Sequence, residues 1–397
     1  MSNERSGFSS RLGFVLATAG SAVGLGNIWR FPYLAAKYGG GTFLLTYLIL
    51  TLTFGFSLMI TEVALGRKAG TSAIRAFGHF SKKHTFIGYL TTIIPFIIFP
   101  YYCVIGGWVT KYALISLQGG IHNAASDTFF TGFISKSAEP MICVLVFLIA
   151  TTVVVAGGVK GGVERVSTIM MPVLIVLLIG VSLFCITRPG AMAGVAYYLK
   201  PSLKGFGPTT ILAALGQLFY SMSLAMGIMI TFGSYMPKKA DLEKSVTQVE
   251  IFDTGVAFLA GLMIVPAVFV FSNGDSSMLA KGPSLMFVML PKVFDSMAFS
   301  SVIAAVFFIL VLLAALTSSI SLLETLVAVL MDKFHMKRGT ACITMFIIAL
   351  LLAVPSSLGF GAWSNITILG FDFLDFFDFI SNLSLIHISE PTRRVVI

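Results

Sequence analysis

Charge is scarce in this sequence. Only 11% of its 397 residues are Asp, Glu, Lys or Arg, against about 25% in soluble proteins. With 57% hydrophobic residues, such a chain cannot cover itself with a water-facing surface, and a soluble enzyme is excluded. Histidine is also sparse, at 5, and none stands in a cluster that would suit a metal. No phosphate-binding glycine loop, zinc-protease helix or nucleophile elbow is present. The four cysteines, Cys103, Cys143, Cys185 and Cys342, lie singly in apolar runs. They read as small buried hydrophobes and imply no disulfide framework. Tryptophan, at 3, is far outnumbered by 36 phenylalanines, a lipid-facing and core-packing signature. The net charge of +9 does not point to nucleic acid, because the basic residues sit between apolar runs. Met1 to Ser10 is polar and the first apolar run continues as a span, so no cleavable signal peptide is expected.

What the sequence does have is long apolar runs. A helix needs roughly 20 such residues to cross a bilayer. Ten candidates are read: 12–36, 41–66, 86–117, 140–157, 165–187, 208–236, 247–272, 300–331, 340–355 and 363–385. The expected fold is therefore an all-α polytopic membrane protein, with 1–382 as a single transmembrane domain in a lipid bilayer. Lys and Arg gather on one set of connections, among them Arg11, Arg67, Lys68, Arg75, Lys82, Lys83, Lys333 and Lys337. That bias places the N-terminus in the cytoplasm. The connection 271–300 carries NGDSS and short apolar pieces, which suggests a folded lid. After Asn382 the text becomes LSLIHISEPTRRVVI, and SLIHISEPTRR resembles translated sequencing-adapter read-through. Residues 383–397 are thus expected to be a non-native tail that cuts the tenth span.

Two of the runs are broken. The first contains AGSAVGLGNIWR, Ala19 to Arg30, where glycines let the backbone leave the helix at little steric cost. The second contains SMSLAMG, Ser221 to Gly227. In a bilayer, irregular backbone survives only where it lines a cavity. Helix ends exposed there are ready ion sites. Two interrupted spans at matching places in two halves are a pointer to an ion-coupled transporter.

The segments RLGFVLATAGSAVGLGNIWRFPY, MITEVALGR, GQLFYSMSLAMG and ALTSSISLLE resemble the neurotransmitter:sodium symporters, especially their bacterial amino-acid branch. The resemblance covers nearly all of residues 5 to 382. It implies a 5+5 inverted-repeat fold, with repeats at about 12–187 and 208–382 and discontinuous spans 1 and 6. It also implies Na⁺-driven uptake of an amino acid by alternating access, in the cell inner (plasma) membrane. One sodium set would be the carbonyls of Gly20, Val23 and Ala314 with the hydroxyls of Thr317 and Ser318, oxygen ligands that suit a hard cation. A second would be the Ala22 carbonyl, Asn27, Ser221 and Asp253. Relatives often carry Asn at the position of Asp253, and its carboxylate is expected to remove the need for bound chloride. Ordinary helix capping is the plain alternative for Asp253.

Monoamine-carrying relatives place an aspartate at the position of Gly24. Its absence implies a substrate that brings its own carboxylate, received by the N–H groups of Leu25 and Gly26 and the Tyr102 hydroxyl. The substrate amine would meet carbonyls around Ser221 and the Ser223 hydroxyl. The side-chain pocket would be Ile98, Tyr102, Tyr220, Met226, Ser318 and Leu322, which suits a hydrophobic or aromatic amino acid. Tyr101 is read as packing. An outer gate is expected between Arg30 and either Asp378 or Asp375. An inner gate is expected between Arg5 and Asp332, near Ser234 and Tyr235, with Phe8 as a plug. Glu62 is expected to accept N–H groups freed in the first span, and Glu324 to do similar work beside the sixth-span break. Gly162 and Pro172 frame a segment of span five that could unwind, since proline removes a hydrogen-bond donor. The alternatives to a symporter are a channel, a membrane protein that binds substrate without transporting it, and an inactive truncated fragment. The sequence gives no oligomeric state.

Overall fold

The computed structural model describes residues 7–202, 206–272 and 284–381. The chain is helical almost throughout: α1 (Arg11–Ala22), α2 (Gly26–Lys37), α3 (Gly41–Ala69), α4 (Ala73–Phe80), α5 (Thr85–Leu117), α6 (Ala138–Ala156) and α7 (Val159–Ile186) make the first part. Then follow α8 (Ala191–Leu199), α9 (Pro208–Ser221), α10 (Ile228–Tyr235), α11 (Leu242–Phe271), α12 (Ser300–Phe334) and α13 (Arg338–Leu358). All four cysteines are free and buried.

Among the described residues, seven helices are long and apolar enough to cross a membrane. The bent pair α1 and α2, at 52°, makes an eighth. Two of the ten expected runs are not counted among these eight, and the first of them is the run expected to be broken at Ser221 to Gly227. Run 208–236 is split into helices of 14 and 8 residues. In run 363–385 turns occupy most of 359–372, and helix starts only at 373 and continues to 381, the last described residue; Asp372 Oδ1 accepts the Asp375 N–H at 2.8 Å at its start. The rest of that run and the 383–397 tail lie outside the described residues. So does 273–283 of the expected lid, in whose described part Leu285–Met289 and Leu290–Asp295 are helical and largely buried.

Helix α5 forms the centre, with 78% of its apolar window buried, while the α3 and α7 windows are 33% buried. The outward stripes are apolar at helical spacing. On α6 they are Ile142, Val146, Ile149 and Val153, all exposed. In water such stripes would be a liability, and in lipid they are the required surface. Small residues let the helix backbones approach, as is usual between membrane helices. Helices α3 and α10 are in direct contact: a Cβ on Gly66 would overlap the Ile230 carbonyl oxygen, and one on Gly233 the Val63 carbonyl oxygen. Neither obstacle is a side chain that can rotate away. Gly66→Ala is therefore expected to destabilise the protein by about 2–3 kcal/mol. Gly70→Ala meets nothing but is strained by its φ of +65°, so the spatial control is Gly180→Ala, which also meets nothing. Thermal melts in detergent read the difference.

Candidate functional site

The site is built where the two broken spans meet. Helix α1 stops at Ala22, and Val23 turns extended, with φ −74° and ψ 100°. The chain resumes at Gly26 in a π-helical turn. Between α9 and α10, Ser223, Ala225 and Gly227 all take left-handed φ, of 52°, 60° and 70°. For the two non-glycines that conformation costs about 1–2 kcal/mol each, so surrounding contacts must hold it. One is the Glu62 carboxylate, which accepts the Ala225 N–H at 2.8 Å. The breaks are joined directly. Ser21 Oγ donates to Ser223 Oγ at 3.2 Å, and Ser223 Oγ lies 3.2 Å from the Ser21 carbonyl.

A small cavity lies between them, lined by Ala22, Gly24, Leu25, Gly26, Ile98 and Tyr102 on one part. Tyr220, Ser221, Ser223, Met226, Ser318 and Leu322 line the rest, with Ser21 and Ile228. All the residues expected to meet substrate, with Ala22, thus line one space. Its volume is about 30 Å³, room for a water or two, so an amino acid can enter only if the helices around it part. No acidic side chain is in the lining.

Two oxygen clusters flank the cavity. On one side Ser318 Oγ stands 3.0 Å from the Ser21 carbonyl, 3.3 Å from that of Val23 and 3.5 Å from that of Gly20. Beside it, Thr317 Oγ1 donates to the Ala314 carbonyl at 3.1 Å. The Ser21 carbonyl was missing from the expected set. On the other side the fully buried Asp253 accepts from Asn27 Nδ2 at 2.6 Å and Ser221 Oγ at 2.9 Å on Oδ1. Its Oδ2 accepts from the Tyr47 hydroxyl at 3.3 Å. Asn27 Oδ1 in turn accepts the Gly24 N–H at 3.2 Å. Asp253 is therefore an internal node across three spans and not a helix cap.

Adjoining the cavity, toward Arg30, is a second chamber of about 250 Å³, whose walls include Arg30, Tyr101, Asp375 and Asp378. Leu25, Gly26 and Tyr220 line both spaces, so the partition is one residue thick. The Arg30 guanidinium lies 4.9 Å over the Tyr220 ring. Tyr101 is not mere packing: its hydroxyl donates to Asp378 at 3.2 Å. On the far side Arg5 lies outside the described residues, and Asp332 accepts the Ser72 N–H at 2.6 Å. Tyr235 donates instead to Glu324 at 2.8 Å, and Glu324 also pairs with Arg338. Ser234 bonds back to the Thr231 carbonyl at 2.6 Å. Phe8 is buried, edge-on to Phe14, Phe232 and Tyr235.

Residues 5–133 and 131–389 match the sodium:neurotransmitter symporter family. The chain belongs to that family. It is 36% identical over 382 residues to the uncharacterized sodium-dependent transporter YhdH of Bacillus subtilis, covering 95% of this chain and 84% of that one. It is 28% identical over 380 residues to the human sodium- and chloride-dependent GABA transporter 2, covering 83% of this chain and 62% of the relative. Among solved structures, that of MhsT in complex with L-phenylalanine matches at a TM-score of 0.89 and 39% identity. The match covers 99% of this chain and 89% of MhsT. This symporter is thus an integral multi-pass membrane protein that couples sodium to movement of a small substrate, and not an enzyme.

Two expected supports of the symporter act elsewhere. Glu62 serves the break of the second broken span, not the first, because the first break lets Asn27 satisfy the Gly24 N–H locally. Glu324 lies a full helix away from that break, at the α10 terminus. Gly162 sits in the π-helical turn Val159–Glu164, and Pro172 lies inside α7. Sequence reasoning passed over Tyr47, Gln217 and Glu164. Gln217 Nε2 donates to the Gly26 carbonyl at 2.9 Å. Glu164 accepts from Ser9 N–H at 2.8 Å and Ser9 Oγ at 2.6 Å. A polar amide inside an apolar run was a usable signal for Gln217, whereas Glu164 lies in the connection between two runs and gave none. Tyr47 gave none, since tyrosine is ordinary in a span.

Proposed function

We propose that this symporter takes up an amino acid with a hydrophobic or aromatic side chain, driven by one or two Na⁺ ions and without chloride. The observation that carries the reading is the cavity at the two breaks, which is lined by Gly24, Leu25 and Gly26 from one break, by Ser221 and Ser223 from the other, and by no Asp or Glu. An amine alone would find no counter-charge there, whereas an amino acid supplies its own. Its carboxylate would meet the Leu25 and Gly26 N–H groups and the Tyr102 hydroxyl, which lies 3.5 Å from Leu25 N. Its side chain would lie among Ile98, Tyr220, Met226 and Leu322, where methionine adapts to shape. The L-phenylalanine in the MhsT structure favours the same substrate class.

The cluster of Gly20, Val23, Ala314, Thr317 and Ser318 would take one sodium ion, and that of Ala22, Asn27, Ser221 and Asp253 the other. The Asp253 carboxylate supplies the negative charge for which chloride would otherwise be needed. Arg30 with Asp378 or Asp375 would close the second chamber over Tyr220, and the Arg11 end of the bundle would face the cytoplasm. Pro172 would serve as the hinge for release, since its neighbour Met171 reaches the first break: a Cβ on Gly20 would stand 3.4 Å from Met171 Sδ.

Uptake of labelled amino acids into proteoliposomes tests the proposal. Concentrative uptake is expected under an inward Na⁺ gradient and not when K⁺ replaces Na⁺. Competition should rank phenylalanine, tryptophan and leucine above glycine and above amines. Replacing chloride by gluconate at fixed Na⁺ should leave the rate unchanged, and a chloride requirement would refute the role given to Asp253. Na⁺-dependent binding without accumulation would refute transport while leaving the site.

A further inference from the structure

The end of the bundle that carries Arg11 has another cavity, of about 600 Å³, between α4, the start of α5 and the end of α12. Arg75, His79 and Lys333 line it with Thr71, Thr85 and Tyr89, and no Asp or Glu does. Arg75 meets the His335 ring at 3.3 Å. Lys333 meets the Tyr89 hydroxyl and stands 4.7 Å over its ring. The neighbouring Asp332 accepts the Ser72 N–H and is not part of the wall. The buried Thr71 hydroxyl has no hydrogen-bond partner among the described residues. Basic and hydroxyl groups gathered in one hollow make a seat for a tetrahedral anion.

The surface beside the cavity says where such an anion comes from. Phe86, Tyr89, Ile93 and Phe96 are all exposed and fall at helical spacing along one face of α5. That face is apolar and starts at the rim of the cavity, with Tyr89 belonging to both. Tyrosine at such a boundary marks the headgroup level of a membrane. Free phosphate would answer the cations and leave the apolar face uncovered, whereas a phospholipid answers both. Basic hollows between helices at this level suit lipid headgroups. We propose that this cavity binds the phosphate of an anionic phospholipid whose acyl chain lies along the Phe86–Phe96 face of α5. The lipid would then tie α4 and α5 to the end of α12, the helix that carries Thr317 and Ser318.

Native mass spectrometry of the purified full chain in detergent, titrated with dioleoyl phosphatidylglycerol, dioleoyl phosphatidylcholine or inorganic phosphate, tests this. Phosphatidylglycerol is expected to bind well above phosphatidylcholine, and the Arg75→Gln, Lys333→Gln double variant to bind it about thirtyfold more weakly. The charge-keeping Arg75→Lys, Lys333→Arg pair should hold it, which separates lost charge from lost structure. Equal binding of the two lipids, or equal binding by wild type and the glutamine pair, would overturn the proposal. Displacement of phosphatidylglycerol by an equal concentration of inorganic phosphate would overturn the lipid as the source.

Discussion

Gly24→Ala is expected to lower Na⁺-driven uptake about a hundredfold, on the scale of overpacking a filled site, while the protein still folds. A Cβ at this position would overlap Ser318 Oγ and stand 3.2 Å from the Tyr102 hydroxyl. Ser318 is small and can rotate away, so the fold survives. Rotation, however, pulls its hydroxyl from the carbonyls of Ser21 and Val23, which it now meets at 3.0 and 3.3 Å. The methyl also enters a cavity of only about 30 Å³ on the wall assigned to the substrate carboxylate. Gly216→Ala is the control, since a Cβ there meets nothing and alanine favours the helix. Uptake and a detergent melting curve on both variants check the expectation. Unchanged uptake in Gly24→Ala would remove this wall from the substrate path.

The breaks were legible because membrane helices tolerate unpaired backbone so poorly that a glycine-rich interruption stands out. Gly24 and Gly26 announced the first, and both line the cavity. The second was legible only in part. Gly227 is visible in SMSLAMG, but the left-handed φ of Ser223 and Ala225 has no signature in residue type. It is held by tertiary contacts such as Glu62. For the same reason Glu62 was given the wrong break. Its presence in an apolar helix signals a polar partner, but which partner depends on how α3 crosses α10. Run 363–385 was legible only in part: its helix starts at 373, where Asp372 caps it, ten residues later than the apolar pattern suggested, because the apolar residues before that point sit mostly in turns. Tyr101 has the spacing of a packing residue, and its bond to Asp378 rests on one hydroxyl that periodicity cannot see.

Asp253 carries the other large effect, and two substitutions separate its roles. Asp253→Ala removes the acceptor for Asn27, Ser221 and Tyr47, three donors in a dry interior. An orphaned buried donor costs about 1–3 kcal/mol, so the variant is expected to lose about 3–6 kcal/mol and to yield little folded protein. Asp253→Asn keeps a carbonyl oxygen for Asn27 and Ser221, and the Tyr47 hydroxyl can turn to accept from the new amide. That variant is expected to melt close to wild type. What it lacks is the charge. If a sodium ion sits against this carboxylate, its attraction is strong in a low-dielectric interior, and the Na⁺ concentration for half-maximal uptake should rise at least about tenfold. Chloride added at fixed Na⁺ should then recover part of the rate in Asp253→Asn and none in wild type, because an anion can stand near the place the carboxylate vacated. An unchanged Na⁺ requirement in a well-folded Asp253→Asn would mean that the carboxylate braces three spans and takes no part in holding the ion.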